Sequence, residues 1–252
     1  MKRLLAALLT MVLILTSCSG IPGLFKKSMT GDGNVLGRSY EMTGDPAYKI
    51  IIKDIAMNNY DKTSLIFDEA LGDELVISTD ENIFLSFDVD VNDIAKTITV
   101  SGDVNLQYAP TMFEITVGGL VSDINLSGGY NVDIKFDTVK RPVIKVAGAI
   151  SGNVSCTDTE VIAFEIAGAV DLKLSGNTAE ITADISGATD IKGYELSADI
   201  ANVSIAGASE IELTVNNELY AGMSGASYIR YKGDGKIMKS DIAGLGEIIK
   251  VD

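Results

Sequence analysis

Asp171, Asp190 and Glu210 follow one another at intervals of 19 and 20 residues, and Tyr228 stands at the equivalent place 18 residues further on. Acids spaced so regularly could gather oxygen ligands around a divalent cation, or act in pairs as general acid and base on a sugar polymer. A tyrosine in the same column could stack on a sugar ring. Composition closes off other chemistries. None of the 252 residues is His, which removes Ser-His-Asp and Cys-His catalysis and any His-ligated zinc. Cys156, in "NVSCTDTE", has no basic neighbour in sequence to lower its pKa and reads as a small buried apolar residue. "GDGNVLG" at Gly31–Gly37 follows no strand, opens no helix and lacks the lysine of a phosphate loop. No catalytic residue, metal-ligating set or cofactor is assigned.

A second reactive position lies near the start. Lys2 and Arg3 precede an apolar run from Leu4 to Leu15, and "LTSC" then ends at Cys18. A run of twelve is too short to cross a bilayer, which takes about 20 helical residues, but suits the apolar region of a signal peptide. Leu15-Thr16-Ser17-Cys18 matches the pattern of a bacterial lipoprotein signal, in which cleavage leaves the cysteine as an acylated N-terminus. Residues 1–18 are therefore expected to be the signal, with Cys18 as the lipidation site. Two or three acyl chains, at about 0.8 kcal/mol per buried methylene, hold a protein on a membrane without a spanning helix. Loss of Lys2 and Arg3 takes the formal charge from −15 to −17. Such a surface repels nucleic acid and anionic headgroups.

The elements that position the acidic column are written in a repeat. "IAGASEIEL" from Ile205 has near-copies from Leu126, Val146, Ile166, Ile185, Met223 and Ile242. The marker glycines Gly128, Gly148, Gly168, Gly187, Gly207, Gly225 and Gly244 are 18 to 20 residues apart. A fixed period of this size signals a repeat architecture. Ile162, Phe164, Ile166, Val170, Leu172 and Leu174 share one parity, while Glu165, Asp171 and Lys173 share the other. Alternation with β-branched residues means strand, and 20 residues cannot hold a βαβ unit. The chain is therefore expected to be all-β, a single-domain, right-handed parallel β-helix, a solenoid of two or three short strands per coil. The marker glycines are expected at an inward corner with no room for a side chain, flanked outside by Ala and Ser. Stacking then aligns Asp171, Asp190 and Glu210 about 5 Å apart per step, with Lys173 and Lys192 expected to relieve the repulsion rather than a metal.

From Ser19 to Asp45, Gly, Ser, Thr and Asp dominate without apolar period, so residues 19–45 are expected to be a flexible tether. Residues 46–252 form the domain, whose first strands are expected to cap the solenoid. The alternating opening segment around Asp80 and Asn82, the passage Phe113–Gly128 and the "SGAS"-like phrases together resemble the putative auto-transporter adhesin head GIN domain family. The resemblance covers roughly residues 47–252. It implies a bacterial cell-surface β-helix, commonly behind a lipoprotein signal, with adhesin as a name given by analogy and no catalytic residues to carry over.

The expected function is a membrane-anchored, extracytoplasmic, non-enzymatic adhesin-like or interaction module in the bacterial cell envelope. Its partners are the membrane through the N-terminal lipid and a surface glycan or envelope protein, with no nucleic acid. Asp171, Asp190, Glu210 and Tyr228 are the candidate surface-binding residues. Two alternatives stand beside it: a polysaccharide lyase or hydrolase on a β-helix, and an envelope scaffold for a protein of the same operon.

Overall fold

A computed structural model describes residues 26–252. The expected signal peptide and Cys18 lie outside the described residues. The chain is all-β, with one twelve-stranded sheet nearly closed on itself into a barrel-like body and a separate two-stranded sheet. The first strands are β1 (Lys27–Thr30), β2 (Val35–Glu41), β3 (Tyr48–Ile55), β4 (Thr63–Asp68) and β5 (Glu74–Asp80). A single turn of helix, α1 (Glu81–Phe84), leads to β6 (Asp88–Asn92), β7 (Thr97–Ser101), β8 (Leu106–Ala109) and β9 (Phe113–Val117). Then come β10 (Val121–Phe136) and β11 (Val143–Gly225), followed by β12 (Tyr228–Lys232), β13 (Lys236–Gly244) and β14 (Glu247–Lys250).

β11 is 83 residues of extended chain. Laid straight at about 3.3 Å per residue it would be several times longer than a domain is wide, so it must turn back on itself. The repeat dictates how. β10 pairs with β11 in parallel with a shift of one repeat, Ile124 against Ile144, Leu126 against Val146 and Gly128 against Gly148. β11 pairs in the same sense with β12, Glu210 against Tyr228, and with β13, Gly225 against Gly244. Leu126, Val146, Ile166, Ile185, Ile205 and Met223 are all buried. Identical positions of successive repeats therefore form one apolar column, each side chain contributing about 1.5–3 kcal/mol on burial.

The marker glycines stack on one another. A Cβ on Gly187 would land on the carbonyl oxygen of Gly168, and one on Gly207 on that of Gly187. Gly187 also has φ +136°, a backbone conformation that L side chains avoid. This corrects the expected inward corner in one respect. Gly128, Gly148, Gly168, Gly187 and Gly207 are half-buried and Gly225 and Gly244 exposed, and from Gly148 onward the atom in the way is the backbone of the neighbouring repeat, not a side chain of the interior.

The N-terminal strands join the same ladder. β3 lies parallel to the first half of β10, Ile50 against Ile124, and β4 to its second half, Leu65 against Val132. Outside them, β7 pairs with β3, and β9 lies between β4 and the antiparallel β5. Glu69 clips this part to the repeats, its carboxylate accepting hydrogen bonds from the backbone N–H groups of Asp137, Thr138 and Val139.

Part of the expected tether is instead strand. β1 pairs with β8, and β2 runs antiparallel along β5 with Leu36 and Tyr40 half-buried. The hydrogen-bonding partners of both are far away in sequence, so local composition carries no sign of them. Asp80 locks them in place. Its fully buried carboxylate accepts from Gly33 N–H at 2.8 Å, Thr111 N–H at 2.7 Å and Thr111 Oγ1 at 2.7 Å.

Candidate functional site

Three clefts open on the face that precedes the glycine corner, and they share residues. The first, about 440 Å³, is lined by Ile51, Asn125, Lys145, Glu165 and Asp184 with Ala147, Ala167 and Ser186. The second, about 460 Å³, continues from Glu165 and Asp184 to Asn202, Ser204, Tyr220 and Asp241. The third, about 440 Å³, adds Ala206, Ser224 and Ala243. They are stretches of one groove running across successive repeats. Its cause is in the repeated phrase: the position before each marker glycine is Ala or Ser, while the position two residues earlier carries Lys145, Glu165, Asp184 and Asp241, interrupted by Ser204 and Gly222. Short side chains make the floor and charged ones the bank.

The bank is electrostatically mixed. Lys145 Nζ donates to Glu165 Oε1 at 2.6 Å, and Lys239 Nζ lies 3.0 Å from Asp241 Oδ2. These pairs are exposed and worth at most about 1 kcal/mol each, so a ligand group can replace either partner at small cost. Tyr220 Oη donates to Glu218 at 2.7 Å, a hydrogen bond that raises the tyrosine pKa.

The acidic column lies on a different face, past the corner. Glycine stacking brings Asp171, Asp190 and Glu210 into register, and Glu210 pairs directly with Tyr228. Lys192 Nζ sits 3.1 Å from Asp190 Oδ2 and 3.5 Å from Asp171 Oδ1. Its pKa is raised, first by the hydrogen bond to Asp190. Glu210 accepts from Arg230 Nε at 2.7 Å. Cations of the chain itself thus stand among the carboxylates, and Arg230 rather than Lys173 serves the last of them. Among the described residues no group of three or more acids or cysteines converges as metal ligands do.

The tyrosines of three consecutive repeats do not form one platform. Tyr231 is buried, Tyr194 is covered by Lys232 Nζ 4.9 Å from its ring centroid, and Tyr220 lines the groove. Tyr228 is 40% exposed on the other face. Cys156 is buried, and burial raises its pKa, away from the thiolate form that acts as a nucleophile.

Sequence reasoning singled out charges and overlooked the groove. Its signal was present in Ala147, Ala167, Ser186, Ala206 and Ser224, which look like corner packing until the flanking column is known to be long and charged.

A family model described as "Putative auto-transporter adhesin, head GIN domain" matches residues 55–235. No curated protein matches the chain. Among solved structures, a putative adhesin from Bacteroides fragilis NCTC 9343 superposes with a TM-score of 0.73 at 19% identity, over 88% of this chain and 100% of the other. A putative lipid binding protein from Parabacteroides distasonis ATCC 8503 gives 0.61 at 23% identity, over 90% and 100%. A putative adhesin from Parabacteroides merdae ATCC 43184 gives 0.60 at 16%, over 90% and 100%. At these identities the likeness is one of fold.

Proposed function

The chain belongs to the auto-transporter adhesin head GIN domain family, and on that premise we propose that it is a non-enzymatic interaction module of the bacterial cell envelope. Its ligand is an extended polymer, a surface glycan or a segment of an envelope protein, lying along the groove. The observation that carries this reading is the continuity of the groove, in which Glu165, Asp184, Ser204 and Asp241 each line two adjoining clefts. A channel that repeats its lining every 18 to 20 residues suits a repeating ligand better than a compact small molecule.

The architecture we infer with it is a right-handed parallel β-helix over residues 46–252, with the early strands as its cap. The one-repeat shift in the pairing of β10, β11, β12 and β13 favours this winding. Residues 1–18 act as a lipoprotein signal and Cys18 as the acylated anchor. What supports attachment through the lipid is the apolar run Leu4–Leu15 ending in Leu15-Thr16-Ser17-Cys18; among the described residues no helix is long and apolar enough to cross a membrane. The matched family and the structural neighbours carry adhesin or lipid-binding names, which favours binding over catalysis. Lys145, Glu165, Asp184 and Asp241 along the groove favour a ligand with polar groups.

The test is binding of the purified protein to an array of glycans and envelope proteins, repeated with Ala167→Arg. Ala167 is exposed on the floor of the groove, so the longer side chain fills it without touching the core. Retention of a ligand by the wild type and its loss in Ala167→Arg are expected. Ligands held equally by both would remove the groove from the reading, and cleavage of an arrayed glycan would replace binding with catalysis.

A further inference from the structure

We propose that the free edge of β13 is a self-association surface whose occupant is β13 of a second copy, paired antiparallel about Ser240. β13 is hydrogen-bonded along one side only, to β11, and none of the described strands lies on its other side. All nine of its residues are exposed. One repeat earlier, the equivalent Leu219, Ala221 and Met223 are buried. Ile237, Met238 and Ile242 are 44%, 54% and 45% exposed, with Leu245 beside them at 81%. Unpaired backbone next to exposed apolar side chains is a template for another strand.

Charge selects which strand. In antiparallel pairing centred on Ser240, Lys239 of each copy faces Asp241 of the other, and Met238 faces Ile242. Cross-strand pairs of opposite charge and of apolar groups both stabilise a sheet. In-register parallel pairing would set Lys239 against Lys239 and Asp241 against Asp241, so this strand reads its own reverse and rejects its own copy in parallel. The lysines of this edge disfavour strands without matching acids. Lys239 and Asp241 already pair within the strand, and an identical antiparallel strand lets the two pairs exchange partners across the edge. The two-fold arrangement closes on itself and stops at a dimer.

On the two-fold axis, Ser240 meets Ser240. Residues directly opposite in an antiparallel pair have Cα atoms about 4.5–5.5 Å apart, inside the range of a disulfide. The experiment is mild oxidation of the full chain in its native envelope, read on a non-reducing gel. Ser240→Cys should give a crosslinked dimer about tenfold above the parent chain and above Ser204→Cys, an exposed control in the groove. Adding Asp241→Lys should lower that dimer about tenfold by opposing like charges twice. Adding Lys239→Asp as well should restore it, since each lysine again faces an acid across the axis. A Ser240→Cys dimer no stronger than the control would overturn the proposal. So would a dimer indifferent to Asp241→Lys, or one that the reciprocal exchange fails to restore.

Discussion

Asp80 shows how one side chain decides whether a stretch of chain is structured. Burial acts to raise its pKa, but the hydrogen bonds from Thr111 and Gly33 outweigh it and hold the carboxyl below the usual range. A carboxylate depressed in the folded state adds stability that is present above its unfolded pKa, about 3.9, and lost as pH falls through the lower folded value. Asn at this position cannot accept on both sides, so Asp80→Asn should cost about 1–3 kcal/mol at neutral pH. The gap between the two proteins in urea midpoint should start to narrow below about pH 4 and close only as pH falls through the lower folded value, where the wild type also loses the charge. A gap as wide at pH 3 as at pH 7 would show that shape, not ionisation, is what Asp80 contributes. In the acidic column, exposed pairs such as Lys192 with Asp190 contribute little either way.

The glycine corner belongs to the element, since each glycine is required by the backbone of the repeat beside it. Gly187→Ala adds a methyl group that must displace the Gly168 carbonyl and also forces an L residue into φ +136°. Strain of this kind costs about 1–3 kcal/mol before the collision is counted. A domain of this size loses about 2–4 °C of melting temperature per kcal/mol. Gly187→Ala should therefore melt at least about 5 °C below the wild type, whereas Ala188→Ser, on an exposed neighbour, should stay within about 2 °C. Equal melting points for Gly187→Ala and the wild type would remove the requirement for glycine at the corner.

At the scale of the whole molecule the question is where the body is held. The expected anchor is Cys18, and Cys18→Ser should move the protein from the membrane fraction to the soluble one, because removing the acyl chains removes the apolar area that partitions into lipid. The strongly acidic surface, −15 for the full sequence, offers no electrostatic substitute on an anionic bilayer. A variant that remains equally membrane-bound and detergent-dependent would place the attachment elsewhere. Soluble release would also free the groove and the β13 edge for measurement in the absence of lipid.

Read alone, the sequence determined the strand content, the 18- to 20-residue period and the alternation of buried and exposed residues. Each of these is local or periodic, and a period is written wherever identical positions must stack. It also set Ile162, Phe164, Ile166, Val170, Leu172 and Leu174 on one face, which the structure buries. Tertiary structure decided the rest, because the rest depends on partners remote in sequence. Lys27–Thr30 becomes a strand only against Leu106–Ala109, and Val35–Glu41 only against Glu74–Asp80. The Ala and Ser column becomes a groove floor only when Lys145, Glu165 and Asp184 rise beside it. The obstacle at Gly187 is the carbonyl of Gly168, an atom that every residue carries and that no residue type reveals.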